Sequence, residues 1–403
     1  MYIRSLALAN FRSYRRLNLE LSQGLSVFVG ENGQGKSNLL EAVHVLATTR
    51  SLRASAEREL INWEELKNPL AFARLEGRVA IQGGETHVEI VLRAQPPELD
   101  TATSTTGRPP PAPPIARTVR LNGLPSKAAN VIGHTVVTLF SPEDVSLANG
   151  PPTGRRRYLD ITCSQVSRRY LRALQTYHRV VAQRNALLRQ IRDRRQPPDS
   201  IEPWNGELVE SGSLVMSHRL AMVSEVNRHL VEIYRALSGG QEELRIAYLA
   251  TILDDSESPA GESASSSAEA LSGAYRSRLV EVERREAEQA VTLVGPHRDD
   301  FRFLLDGVDL NVFGSRGQQR LAVVALKLSE AEYLRAETGE QPILLLDDVL
   351  SELDPRRRAF VLERVANDGQ TLLTTTATTE LGPAAERSAA FYRVQDGAVS
   401  PIT

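Results

Sequence analysis

The sequence predicts an α/β fold of mixed sheets with helices, carrying a short antiparallel helical arm as a separate domain. Three observations lead there. An apolar run, a glycine-rich turn and a helical stretch follow one another in LSVFVGENGQGKSNLLEAVHVL (25–46). Four apolar residues run straight into two carboxylates, Asp347 and Asp348, in PILLLDDVLSELDPRRR (342–358). Between these halves lie two stretches of helical periodicity, 155–195 and 203–237.

Composition bounds the reading. A chain of 403 residues is long enough for two or three domains, each with a core. The formal net charge of -2 hides an asymmetry. Residues 155–195 hold twelve Arg against Asp160 and Asp193, a local net of +10, so the remainder sums to -12. The single Cys163 permits no internal disulfide, and the seven His show neither H-x-H nor H-E-x-x-H spacing, which argues against structural zinc. No apolar run approaches the roughly 20 residues of a membrane span, and MYIRSLALANFRSY does not read as a leader. The expectation is a cytoplasmic chain with no membrane partner.

Taken in order, THVEIVLR (86–93) and RTVRLNGLPS (117–126) alternate as strands, and the Asn122-Gly123 pair marks a hairpin turn. The Pro-, Thr- and Ala-rich stretch between them, 94–116, predicts a disordered insertion in one antiparallel sheet, and 254–274 predicts a second. From Arg155 to about Arg195, Val166, Tyr170, Ala173, Tyr177, Val180, Leu188 and Ile191 fall on one side of a single helix. Arg168, Arg172 and Arg179 project from the opposite side as a cationic stripe, a candidate DNA track or a solvated face. Arg184 projects into the apolar side, as a structural ion pair or a snorkelling stem. Pro197, Pro198 and Pro203 break this helix from the next, and the two form the arm. The domains expected are an N-terminal head segment (1–155), the arm (156–240), a return (241–290) and a C-terminal head segment (291–403).

Gly30-x-x-x-x-Gly35-Lys36-Ser37 is the P-loop pattern, placed between strand and helix as its chemistry requires. Gly30, Gly33 and Gly35 let the backbone curl through Glu31, Asn32 and Gln34, so that N–H groups and the helix N-terminus face phosphates. Lys36 then reaches the β- and γ-phosphates of ATP, with Ser37 on Mg²⁺. The strand ending at Asp347 supplies the second carboxylate of the Mg²⁺ shell, and Asp348 is placed to orient or deprotonate the attacking water. Lys36 and Asp348 are the candidate catalytic pair.

Two strings compete to be the signature that grips a partner's nucleotide: LSGGQ (237–241) and GSRGQ (314–318). A signature presents a Ser hydroxyl and backbone N–H groups from a helix N-terminus, so it must open a helix. The residues after LSGGQ alternate, as Leu244, Ile246 and Tyr248 do, which predicts a strand. Those after GSRGQ carry Leu321, Val324, Ala325, Leu328 and Leu334 in helical register, with Gly339 at the expected C-cap. Ser315, Arg316, Gly317 and Gln318 are therefore the predicted signature, and LSGGQ a turn between arm and strand. Ser315 and Gln318 also have capping-box spacing, and the two roles can coexist.

ALANFRSY, VGENGQGKSNLLEAVHVL, RSLR, LFSPEDVSLANGPPTGRRRYLD, YHRVVAQRNALL, VGPHRDDF, SRGQQRLAVVALKLSEA and LLLDDVLSELD occur in that order. Together they resemble the bacterial RecF recombination mediators over nearly the whole chain. The two insertions and the C-terminal tail have no counterpart in that set. The resemblance implies an SMC-like, ABC-type P-loop ATPase head with a short arm, which binds double-stranded and gapped DNA, forms an ATP-dependent homodimer and works with RecO and RecR to load RecA. It implies a slow, DNA-stimulated ATPase that acts as a switch, Ser315 to Gln318 against the partner's ATP, and Ser351 to Asp354 as the loop between two sites. Two departures stand out. Arg316 replaces a signature glycine, and LLTTTATTE (372–380) has no switch histidine, leaving Thr375 or Thr376 for the γ-phosphate. His297, Arg298 and Asp299 in GPHRDD are either functional or a buried polar turn.

Other functions make different demands. A transporter ATPase subunit would use the literal LSGGQ, but that string lies more than a hundred residues before the Asp347 strand. An SMC-type structural clamp needs a far longer coiled coil than this arm provides.

Overall fold

The computed structural model describes residues 1–95, 114–253, 267–366, 369–377, 381 and 389–402. They fall into two compact units, 1–142 with 339–403, and 143–338. The arm expected over 156–240 lies inside the second unit, which also takes the helix after GSRGQ.

The first unit has two six-stranded sheets. One is antiparallel, ordered Tyr14–Glu20, Tyr2–Phe11, Phe72–Ile81, Gly84–Ala94, Ile115–Leu121, Leu124–Ser126. Its strands alternate buried and exposed residues, as a sheet with one wet face does. The hairpin at Asn122 (φ 52°) and Gly123 (φ 79°) is as expected. The insertion is shorter at its edges than 94–116, because Ala94 pairs with Ile115 across the sheet; residues 96–113 lie outside the described residues. The other sheet runs parallel through Ala390–Gln395, Gly24–Val29, Gln370–Thr375, Ile343–Asp347 and Val137–Phe140, with Ala398–Pro401 closing a terminal hairpin.

The helix Lys36–Thr48 is buried along almost its whole length. Its Leu39, Val43 and Leu46 share one core with Leu8, Leu75 and Ile90 of the antiparallel sheet and Leu345 and Leu372 of the parallel one. Each such side chain contributes roughly 1.5–3 kcal/mol by leaving water, so the helix that carries the P-loop lysine is firmly anchored.

In the second unit the first arm stretch is two helices rather than one, Pro152–Val166 and Arg168–Arg192. Ser167 is extended (φ -129°, ψ 107°), and its Oγ accepts from the Tyr170 N–H, so it ends one helix and caps the next. The second stretch is the continuous helix Glu202–Ser238, with Pro203 inside its first turn, where the missing N–H is no loss. Residues 254–266 lie outside the described residues, but 267–274 do not form part of a loop. Ser267 caps a helix, Ala268–Gln289, whose Leu271, Tyr275, Leu279 and Val282 are buried.

That helix meets the arm through Arg184. Its guanidinium donates to Glu286 (2.5 Å), Thr292 Oγ1 (3.0 Å) and Asn205 Oδ1 (3.0 Å), with Arg184 and Glu286 3% and 1% exposed. The structural ion pair is the arrangement found. Truncating one member of a buried pair leaves the other charge without compensation. Arg184→Ala is therefore expected to destabilise the fold by about 3–5 kcal/mol. Urea unfolding checks this, and Glu286→Ala should cost a similar amount.

Candidate nucleotide site

The P-loop sits at the end of the Gly24–Val29 strand, as its sequence requires. Gly33 (φ 84°) and Gly35 (φ 109°) take left-handed backbone that other residues resist. Gly30 is needed for a different reason: a Cβ there would stand 2.3 Å from the Val394 carbonyl oxygen. The terminal hairpin grips the loop, since Asp396 N–H donates to Gln34 Oε1 (2.6 Å) and Gly397 N–H to Gln34 O (3.2 Å).

Asn32, Gly33, Gly35, Lys36, Ser37, Asn38, Arg53, Pro142, Asp347 and Asp348 line one open cleft of about 220 Å³. Lys36, nearly buried, folds over the loop and donates to Gly30 O (2.5 Å) and Glu31 O (2.9 Å). Burial pulls its ammonium below the ordinary lysine value, while the nearby Asp348 and Asp347 charges oppose that. Both contacts are to neutral carbonyls, so an incoming phosphate would be the stronger acceptor.

Asp347 is 3% exposed and fully engaged. Its Oδ1 accepts from Ser37 Oγ (2.8 Å) and Thr374 Oγ1 (2.8 Å), and its Oδ2 from Arg53 (2.6 Å). The Ser37 hydroxyl and Asp347 carboxylate thus meet directly, an all-oxygen donor pair of the kind Mg²⁺ prefers. Among the described residues no group of three or more His, Cys, Asp or Glu is placed to hold a metal by itself. Asp348 follows in left-handed backbone (φ 52°), with its N–H on Thr374 Oγ1 (3.0 Å). Asp348 lines the cleft together with Lys36 and is near enough to act on its charge.

The sequence predicts no role for Arg53 or Thr374. RSLR is only a string of the resemblance, and the Thr expected at the γ-phosphate is 375 or 376. Thr375 instead donates to Ala377 O (3.0 Å), and Thr374 Oγ1 is the hydroxyl that donates to the Asp347 carboxylate and accepts from the Asp348 N–H. Thr378 to Glu380 lie outside the described residues. In the expected loop between sites, Ser351 Oγ donates to Asp348 O (2.7 Å), and Asp354 caps the next helix through the Arg357 N–H.

The second unit settles the local geometry of the two strings. The helix Arg316–Thr338 opens at GSRGQ, with Ser315 N–H donating to Gln318 Oε1 (2.9 Å) and Gln318 N–H to Ser315 Oγ (3.2 Å). This is the reciprocal capping box. LSGGQ does the reverse. Ser238 is the last residue of its helix, Gly239 (φ 71°) is the left-handed C-cap, and Leu244–Leu249 is a strand. A helix C-terminus carries the negative end of the dipole and offers no N–H groups to a phosphate. Arg168, Arg172 and Arg179 are all exposed, and Arg179 pairs with Glu207 at 3.2 Å.

A family model for the RecF/RecN/SMC N-terminal domain matches residues 2–400. The DNA replication and repair protein RecF of Chloroflexus aggregans is 40% identical over 404 residues, covering 98% of this chain and 99% of its own. This chain belongs to the RecF family. A solved structure of the recombination mediator protein RecF with ATP, from the RecFOR pathway, superposes with a TM-score of 0.84 at 29% identity, over 100% of this chain and 98% of that one. An SMC head bound to the C-terminal winged-helix domain of ScpA superposes at 0.52 with 16% identity, covering 100% and 97%; it shares the ABC-type fold. Among the described residues no helix is long and apolar enough to cross a membrane.

Proposed function

We propose that this chain is an ATP-dependent DNA-binding switch of recombinational repair. ATP binds at residues 30–37, with its phosphates on the loop amides and Lys36. Mg²⁺, held by Ser37 and Asp347, supplies charge neutralisation at the β- and γ-phosphates. Ser315 to Gln318 of a second copy complete the site, so that ATP drives a homodimer on double-stranded or gapped DNA. Asp348 orients water for a slow hydrolysis that resets binding. RecO and RecR are the partners through which RecA reaches single-stranded DNA. The observation that carries this reading is the 2.8 Å contact of Ser37 Oγ with Asp347, which joins the two halves of a P-loop ATPase site across the sheet. Sedimentation with and without ATP and duplex DNA tests it; a chain that stays monomeric and unbound in all conditions would defeat it.

The DNA track is proposed on Arg168, Arg172 and Arg179. Each phosphate contact contributes about -0.9 to the slope of log K against log salt. Replacing all three by Ala is expected to weaken binding to every duplex sequence and flatten the slope by up to roughly 3 units per bound monomer. Arg179 must leave Glu207 to take part, but an exposed pair of this kind contributes only about 0–1 kcal/mol. An unchanged slope in a triple variant that still dimerises removes the stripe from the DNA path.

A further inference from the structure

The GPHRDD turn is built with more constraint than a connection needs. Gly295 (φ 115°) admits no side chain, since a Cβ would lie 1.9 Å from the Tyr275 hydroxyl and 2.4 Å from that of Tyr177. Arg298 N–H closes the turn on Gly295 O (2.8 Å). Asp299, 1% exposed, accepts from Tyr248 OH (2.6 Å), Thr251 N–H (2.7 Å) and Thr251 Oγ1 (2.7 Å). Asp300 is taken by a two-pronged contact from Arg155 (2.6 and 2.8 Å). Both acids of the motif are thus committed to neighbours, and the backbone between them is fixed.

Around this rigid turn lie two guanidiniums and two imidazoles. Arg298 is exposed, with Nε on Thr292 O (3.3 Å), and Arg156 reaches from its helix to Asp299 O (2.9 Å). His297 lies half-buried beside them, with Nδ1 2.6 Å from Tyr177 OH and Nε2 3.1 Å from the same Thr292 carbonyl. The exposed His178 follows Tyr177 on the arm helix, its ring 6.2 Å from the tyrosine ring. Burial pushes His297 down to about 4, and the charges of Arg298, Arg156 and His178 push the same way. Asp300 and Asp299 offset part of the Arg156 charge, but both guanidiniums hydrogen-bond only-partly charged carbonyl oxygens here, weaker acceptors than an ionised oxygen.

We propose that Arg156 and Arg298, with the imidazoles of His178 and His297 beside them, form an anion site for a phosphate group, supplied by the backbone of bound DNA. The proposal rests on the reading of the chain as a DNA-binding switch, and it adds a second, preorganised contact to the arm stripe. One guanidinium on the fixed turn and a second that reaches to it from the Pro152–Val166 helix suit a phosphate group, whose several oxygens can accept from both. A free phosphate offers the same oxygens, so the test must separate the two sources.

The test uses the full chain carrying Arg156→Gln and Arg298→Gln, which keep a donor and much of the stem while removing charge. Duplex affinity with ATP is measured at several salt concentrations, and inorganic phosphate is titrated separately while the His297 ring resonances are followed by NMR. The expected result is a slope flattened by up to about 2 units per bound monomer, with unchanged melting temperature. An unchanged slope, together with a phosphate-induced shift of His297 in the wild type that the double variant lacks, would overturn the DNA source and assign the site to free phosphate. No change in either measurement overturns the site. Should the double variant not fold, Arg298→Gln alone, on an exposed side chain, is expected to flatten the slope by about 0.9. If the wild type binds no duplex at all, the DNA-switch reading fails, and the phosphate titration judges the site by itself.

Discussion

Asp348→Asn is expected to slow ATP hydrolysis by about 10²-fold or more while ATP binding persists, and to lengthen the life of the ATP-bound dimer correspondingly. The amide keeps the size of the carboxylate but loses its basicity and its negative charge. The backbone accepts the change, because Asp348 already has φ 52°, a conformation Asn adopts as readily as Asp. Its N–H contact with Thr374 is untouched by a side-chain change. Lys36→Met separates the two steps. It removes the ammonium that now rests on Gly30 O and Glu31 O, so ATP binding itself, and with it dimerisation, should be lost. Measured side by side, the Lys variant should never assemble and the Asp variant should fail to disassemble. Equal dimer lifetimes for wild type and Asp348→Asn would sink the role given to Asp348.

The difference between what sequence could and could not reveal follows from the range of the interactions. The P-loop is local: glycines, lysine and hydroxyl within eight consecutive residues, with apolar strand and helix on either side. The strand ending in Asp347 is legible for the same reason. So are the helix after GSRGQ and the strand after LSGGQ, because the two impose different periods on the residues that follow. The RSLR string was legible but the role of its Arg53 was not, because the partner Asp347 is 294 residues away. Thr374 lies one position before the first of the expected threonines, in a strand whose residues are all buried, where alternation gives no clue to which side faces Asp347. The break at Ser167 was overrun because apolar residues continue in register across it. Only the capping hydroxyl marks it. Ser267 is the opposite case: its cap and the spacing of Leu271, Tyr275 and Leu279 were visible, but the low-complexity segment before them drew the boundary too far.

Ser315→Arg should abolish ATP-dependent dimerisation, whereas Ser238→Arg should leave it intact. In the proposed dimer the Ser315 hydroxyl and the N–H groups of its helix meet the partner's γ-phosphate, and an arginine stem fills that space. The variant should still fold. Loss of the Ser315 cap costs about 0.5–2 kcal/mol, while the helix it opens is held by buried Leu321, Val324, Ala325 and Leu328. Ser315→Ala separates cap from contact, since it removes the hydroxyl without adding bulk and should weaken assembly less than Arg does. At position 238 the added stem enters a helix C-terminus, where the hydroxyl contacts only the Arg235 carbonyl (3.4 Å) and the Gly240 N–H (3.1 Å) within its own turn. A positive charge there is, if anything, favoured by the helix dipole. Sedimentation with ATP decides between the strings. If Ser238→Arg blocks assembly in a folded chain and Ser315→Arg does not, then LSGGQ is the signature after all, and the capping box at Ser315 serves only its helix.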